Sequence, residues 1–115
     1  MAAISPTRAA PGARPPKAPP PRKARHADEC EQLEQLPNIG PSIAADLRLL
    51  GVLHPRELAG RDALQLYRAL CAKTGKRQDP CVLDTFLAAT DFMGGAAPRP
   101  WWDYTAQRKA RFGVL

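Results

Sequence analysis

The chain is poor in the residues that catalysis and metal binding draw on. Its 115 residues include two histidines, His26 and His54, and three cysteines, Cys30, Cys71 and Cys81. The cysteines are odd in number, widely spaced and without a paired metal-ligand motif, which argues against both a zinc site and a disulfide framework. They are expected as small apolar residues at helical core positions. No Ser/His/Asp or Cys/His arrangement can be assembled. Asp79, Asp84 and Asp91 fall at spacings unsuited to a shared metal, and Asp84 and Asp91 read as ordinary solvent-face residues. No enzyme, cofactor or small-molecule substrate is expected. The chain also lacks an apolar run long enough for a secretory signal or a membrane span. A soluble cytoplasmic protein without membrane contact is the expectation. Strand-like alternation with β-branched residues is missing throughout, so the fold should be all-α.

What is present is charge, unevenly placed. The formal net charge is +6, and residues 1–27 alone hold Arg8, Arg14, Lys17, Arg22, Lys23 and Arg25 with no acid. Residues 28–115 hold 11 basic and 11 acidic side chains, so all of the net charge lies ahead of Asp28. Seven of the 13 prolines lie there too, among alanines and almost nothing bulky. Such a segment buries too little apolar surface to offset the entropy of ordering it. Residues 1–27 are therefore read as a disordered basic arm and residues 28–115 as the folded domain. The arm is either an electrostatic tether to nucleic acid or a solvated tail. Its proline density argues against a transit peptide.

From Asp28 onward the pattern is helical. Cys30, Leu33 and Leu36 suggest a first helix with Glu29, Glu31 and Glu34 facing water, stopped by Pro37. Asn38 tolerates the left-handed backbone that a tight turn wants, and Pro41 suits the first position of the next helix. Ile43, Leu47 and Leu50 then recur at helical spacing, with Gly51 as a C-terminal cap. A short turn is expected around Pro55–Ala59. Asp62 should cap a helix carrying Leu64, Tyr67, Leu70 and Cys71 that ends near Gly75. Asp79-Pro80 starts another, with Val82, Phe86, Ala89 and Met93 inward, ended by Gly94-Gly95. A last short helix runs from Asp103 to about Arg111.

The turn between the first two of these elements is the most informative stretch. Leu36-Pro37-Asn38-Ile39-Gly40 ends at a glycine directly ahead of Pro41-Ser42-Ile43-Ala44. Unpaired N–H groups at a helix start, with the helix dipole behind them, form a small anion site. On a basic chain without catalytic groups, that site suits a nucleic-acid phosphate.

The same residues resemble the helix-hairpin-helix motif of DNA repair and recombination proteins. The resemblance implies a small SAM-like bundle of about five to six short helices and sequence-independent contact to a DNA phosphate by Asn38, Gly40, Ser42 and Ile43. Some bearers of the motif hold a monovalent cation on turn carbonyls. In this chain Asn38 stands where the motif usually has its first glycine. Ser42 stands where many DNA-binding members carry lysine, which removes one charge-assisted contact. Together with Asp46 to Gly51, Asp79 to Asp84, and Pro100-Trp101-Trp102-Asp103-Tyr104-Thr105, the hairpin is similar to the "pathogenicity locus" family over about residues 30–112. These are small bacterial helix-hairpin-helix proteins, some called mitomycin-resistance proteins. The family implies a link to tolerance of DNA crosslinks and, with it, a role in DNA repair.

Further basic residues are candidates for secondary nucleic-acid contacts. Lys73, Lys76 and Arg77 precede Asp79-Pro80 and could form a degenerate second hairpin; they equally suit a solvated loop. Arg108 follows the tryptophan pair. Trp101 and Trp102 either stack on unpaired bases or dock on the domain, and docking is the stronger expectation in so small a core. Asp62 imitates the aspartate that some helix-hairpin-helix glycosylases carry, but no residues remain to build a base pocket beside it. Two roles stay open: a DNA-binding accessory module, or a protein-interaction module that meets a repair protein without touching DNA.

Overall fold

A computed structural model describes residues 21–115, and within them every regular element is helical. Four α-helices are joined and preceded by short 3₁₀ turns: α1 Pro41–Leu49, α2 Ala63–Thr74, α3 Pro80–Met93 and α4 Thr105–Phe112. The local signals act where the residue types allow. Pro41 and Pro80 occupy first-turn positions, where a missing N–H removes no helical bond. The Asp62 carboxylate accepts from Leu64 N at 2.9 Å, and that of Asp79 accepts from Cys81 N at 2.8 Å. The Cys81 N–H also holds the Asp79 carboxyl below its ordinary value. Gly75 ends α2 with φ 70°, a conformation that would strain a residue bearing Cβ.

α3 is the axis of the domain. It is buried continuously from Leu83 to Ala89 and again at Phe92. On it pack α2, the 3₁₀ turn Trp101–Tyr104, the 3₁₀ turn Pro55–Leu58 and α4. A helix covered on several sides accepts few polar residues, and those present must find partners. Asp84 is such a residue. It is 0% exposed and accepts from Arg108 Nε at 2.9 Å, Arg108 Nη2 at 3.2 Å and Thr105 Oγ1 at 2.8 Å. The solvent-face position expected for Asp84 is thus corrected: its carboxylate staples α4 to α3 from inside.

The expected first helix is also different. The segment forms two 3₁₀ turns, Ala27–Glu29 and Leu33–Gln35. Cys30, Leu33, Leu36 and Ile39 are all buried and recur every three residues, which is the 3₁₀ period and not the α period of 3.6. Asp28, Glu31 and Glu34 would stand at like-charge i,i+3 spacing on an α-helix. The Gln35 side chain instead accepts from Glu31 N and Gln32 N, both at 2.8 Å, and closes the second turn. Burial pushes the Cys30 thiol up to about 11, so this cysteine remains a neutral core member.

Most of the proposed basic arm lies outside the described residues. Its last part, residues 21–27, belongs to the domain: Ala24 is buried and its N–H donates to Gln35 O at 2.9 Å.

Candidate nucleic-acid interface

The turn ahead of α1 is assembled from the inside. Leu36 and Ile39, both 0% exposed, anchor the two sides of the turn in the core, and Pro37 between them is buried as well. Asn38 reverses the chain with φ 67°; among the described residues no other side-chain-bearing residue has positive φ. Its Nδ2 donates to Arg99 O at 2.8 Å, tying the turn to the segment ahead of Trp101. Gly40 follows as the N-cap of α1, with φ −98° and ψ −173°. Ala44, fully buried, lets α1 sit close to the core.

This geometry leaves the mouth of α1 open. α2 and α3 begin with aspartates whose carboxylates accept their own first-turn N–H groups. Gly40 has no side chain to do so, and no side-chain cap bonds α1. The N–H groups of Gly40, Ser42 and Ile43 have no acceptor within the hairpin, whereas Ile39 N donates to Leu36 O and Ala44 N to Gly40 O. A Cβ built on Gly40 meets nothing within 4 Å, so a side chain can start there without a clash. Asn38, Gly40, Ser42 and Ile43 are therefore brought together at one site, with Ser42 exposed beside the amides.

The turn carbonyls face a different partner. Lys23 Nζ donates to Glu34 O at 2.9 Å, Leu36 O at 2.9 Å and Ile39 O at 2.7 Å. Lys23 is exposed as a residue, and partial burial of its ammonium lowers its pKa, against the Glu34 carboxylate, which raises it. The carbonyls that the resemblance offers to a monovalent cation already hold this ammonium, so they do not fit a free ion. Among the described residues no group of three or more His, Cys, Asp or Glu side chains gathers as for a metal. Lys23, Ala24, Arg25, Pro37, Asn38 and Pro98 to Pro100 line an open groove of about 440 Å³ beside the turn. Arg25, one of the cations expected in the arm, and Arg99, expected near phosphates beside the tryptophans, both line this groove.

The secondary basic residues lie elsewhere. Lys73 in the last turn of α2, and Lys76 and Arg77 on the α2–α3 loop, are exposed. The helix mouth next to them is closed by the Asp79 carboxylate, so the loop does not repeat the amide geometry of the hairpin. Arg108 is a correction. Its guanidinium is bidentate on Asp84 and only 8% of the residue is exposed, which takes it out of a phosphate-facing role. Arg77 shares a second groove with Lys109 and the chain end, and that groove has no residue in common with the first. Of the tryptophans, Trp101 is half-buried while Trp102 is 62% exposed, edge-on to it at 5.6 Å. Tyr104 is the aromatic buried from this segment. No helix among the described residues is long and apolar enough to cross a membrane.

Comparison with known proteins places these features in company. The sequence profile described as pathogenicity locus (Cdd1) matches residues 26–110. The "mitomycin resistance protein McrB" of Streptomyces lavendulae is 42% identical over 77 residues, covering 67% of this chain and 73% of that protein. No solved structure matches the chain.

Proposed function

The chain belongs to the pathogenicity locus family, and on that footing we propose that it binds DNA without sequence preference through the mouth of α1. The observation that carries this reading is the contrast between helix starts: α2 and α3 hold their own carboxylates, and α1 offers bare amides. A phosphate oxygen supplies the missing acceptor and the negative charge that a helix N-terminus favours. Backbone amides carry no base readout, so contact is sequence-independent. Arg25 at the rim, and the cations of residues 1–20, add electrostatic attraction that positions the duplex without specifying it. We assign no catalytic step to the module. It acts as an accessory factor in DNA repair or damage tolerance in the bacterial cytoplasm, in keeping with the relative named for mitomycin resistance.

Fluorescence-anisotropy titration against single-stranded, duplex and branched DNA at two salt concentrations tests the reading. The Gly40→Glu variant has room for its side chain and an ordinary φ, so it should fold. Its carboxylate then occupies the phosphate's place. Binding should weaken at least about tenfold, and affinity of the unaltered protein should fall with salt at a log–log slope of about −0.9 per phosphate contacted. A folded Gly40→Glu protein that binds DNA as tightly as the unaltered chain rules the site out. The exposed Trp102 and Leu53 support the second reading, a protein-interaction surface. Its signature is association with a repair protein that hardly responds to salt and survives Gly40→Glu.

A further inference from the structure

Lys23 stands in an unusual position for a residue preceding the helices. Its ammonium meets three backbone carbonyls, Glu34 O, Leu36 O and Ile39 O, at 2.7–2.9 Å. Only a protonated lysine has three donors, so each N–H finds one carbonyl and the match is complete. The three acceptors belong to the 3₁₀ turn Leu33–Gln35 and its flanks and to the turn that follows, up to the residue before Gly40. Without a cation among them, carbonyl dipoles pointing at one spot repel, and the turn relaxes outward. Carbonyl oxygens grouped in this way take a bare alkali-metal ion in place of its hydration shell. Potassium and ammonium are close in size and charge.

We propose that Lys23 is a tethered monovalent cation: it replaces a free alkali-metal ion at the hairpin and holds the Gly40–Ile43 amides in their outward-facing arrangement. The chain thereby carries its own counter-charge, delivered from outside the helical region. Two consequences follow. The unaltered fold is indifferent to which alkali-metal ion is in solution. Shortening Lys23 opens a three-carbonyl site that a free potassium or sodium ion then fills. Lys23 touches no ligand in this scheme; it is a positioning residue, and its effect on DNA rests on the function proposed above.

The test compares the full-length protein with Lys23→Ala and Lys23→Met by thermal melting in potassium, sodium and choline chloride at equal ionic strength. The unaltered protein should melt at one temperature in all three. Lys23→Ala should lose at least about 5 °C in choline, as expected for charge-assisted hydrogen bonds in a domain of this size, and regain it saturably with potassium or sodium. Lys23→Met, whose side chain fills the place without charge, should stay low in every salt. A Lys23→Ala protein that melts like the unaltered one in choline, or that is equally lowered in all salts, overturns the proposal. Should Lys23→Ala fail to fold, the lysine ammonium signals of the unaltered protein decide. Lys23 Nζ should show protons protected from solvent exchange with couplings to the three carbonyl carbons, and a freely exchanging Lys23 refutes the idea. DNA titrations of the same variants separate the two claims: cation-dependent melting without any DNA binding keeps the lysine's role and discards the phosphate site.

Discussion

Asp84 and Lys23 show how little of the polar interior is announced by residue type. Asp84 lies between Leu83 and Thr85 with nothing in its neighbourhood to mark it as buried, and its partner Arg108 is 24 residues away. The sequence offered an acid and a base on separate helices, each of which suits a solvent face. Only the continuous burial of α3 turns them into an internal pair. Lys23 was harder still, because its partners are carbonyl groups that every residue has. For the ion pair the expected behaviour is asymmetric. Arg108→Met strands a carboxylate with no exposure and should destabilise the domain by about 3–5 kcal/mol in urea unfolding, whereas adding Asp84→Leu to it should recover much of that loss. If Arg108→Met alone leaves the midpoint unchanged, the pair does not hold α4 in place. A phosphate contact by Arg108 would instead predict lost DNA binding at unchanged stability.

At the scale of elements, the signals that act within one turn were legible in advance. Pro41, Asp62, Gly75, Asp79 and Gly94 each act through their own backbone or the next few N–H groups, and the helices begin and end at them. The left-handed Asn38 was readable for the same reason. The stretch before Pro37 departs from the expected α-helix because apolar residues every three positions satisfy a loose helical pattern as well as a 3₁₀ one. What decided it is side-chain capping by Gln35 and the acidic spacing, both competitors of the α-helix. The contrast between helix starts gives a sharp expectation. Gly40→Asp gives α1 the cap that α2 and α3 already have. It should leave melting unchanged or raise stability by a few tenths of a kcal/mol, while DNA affinity falls as in Gly40→Glu. Stability and binding should move in opposite directions; a parallel fall in both indicates a distorted turn in place of a blocked anion site.

For the molecule as a whole, the all-helical class followed from the lack of strand patterning, and every regular element among the described residues is helical. The boundary at Asp28 followed from composition, yet the folded part reaches back at least to the contacts of Lys23 and Ala24. Proline and arginine counts describe solvation and cannot see one lysine bonding to carbonyls. Two truncations separate these contributions. A chain starting at Pro21 loses Arg8, Arg14 and Lys17, and should melt as before while the salt dependence of DNA binding flattens by about 0.9 for each lost phosphate contact. A chain starting at Asp28 also loses Lys23 and should melt lower. Equal melting of the two would leave residues 21–27 without a structural role.

One bond reaches further than its size suggests. Because Asn38 Nδ2 holds the carbonyl of Arg99, the reversal that aims the α1 amides is fastened to the approach to Trp101 and Trp102. The turn ahead of α1 and the tryptophan segment therefore share one fastening, and neither can be displaced without breaking it.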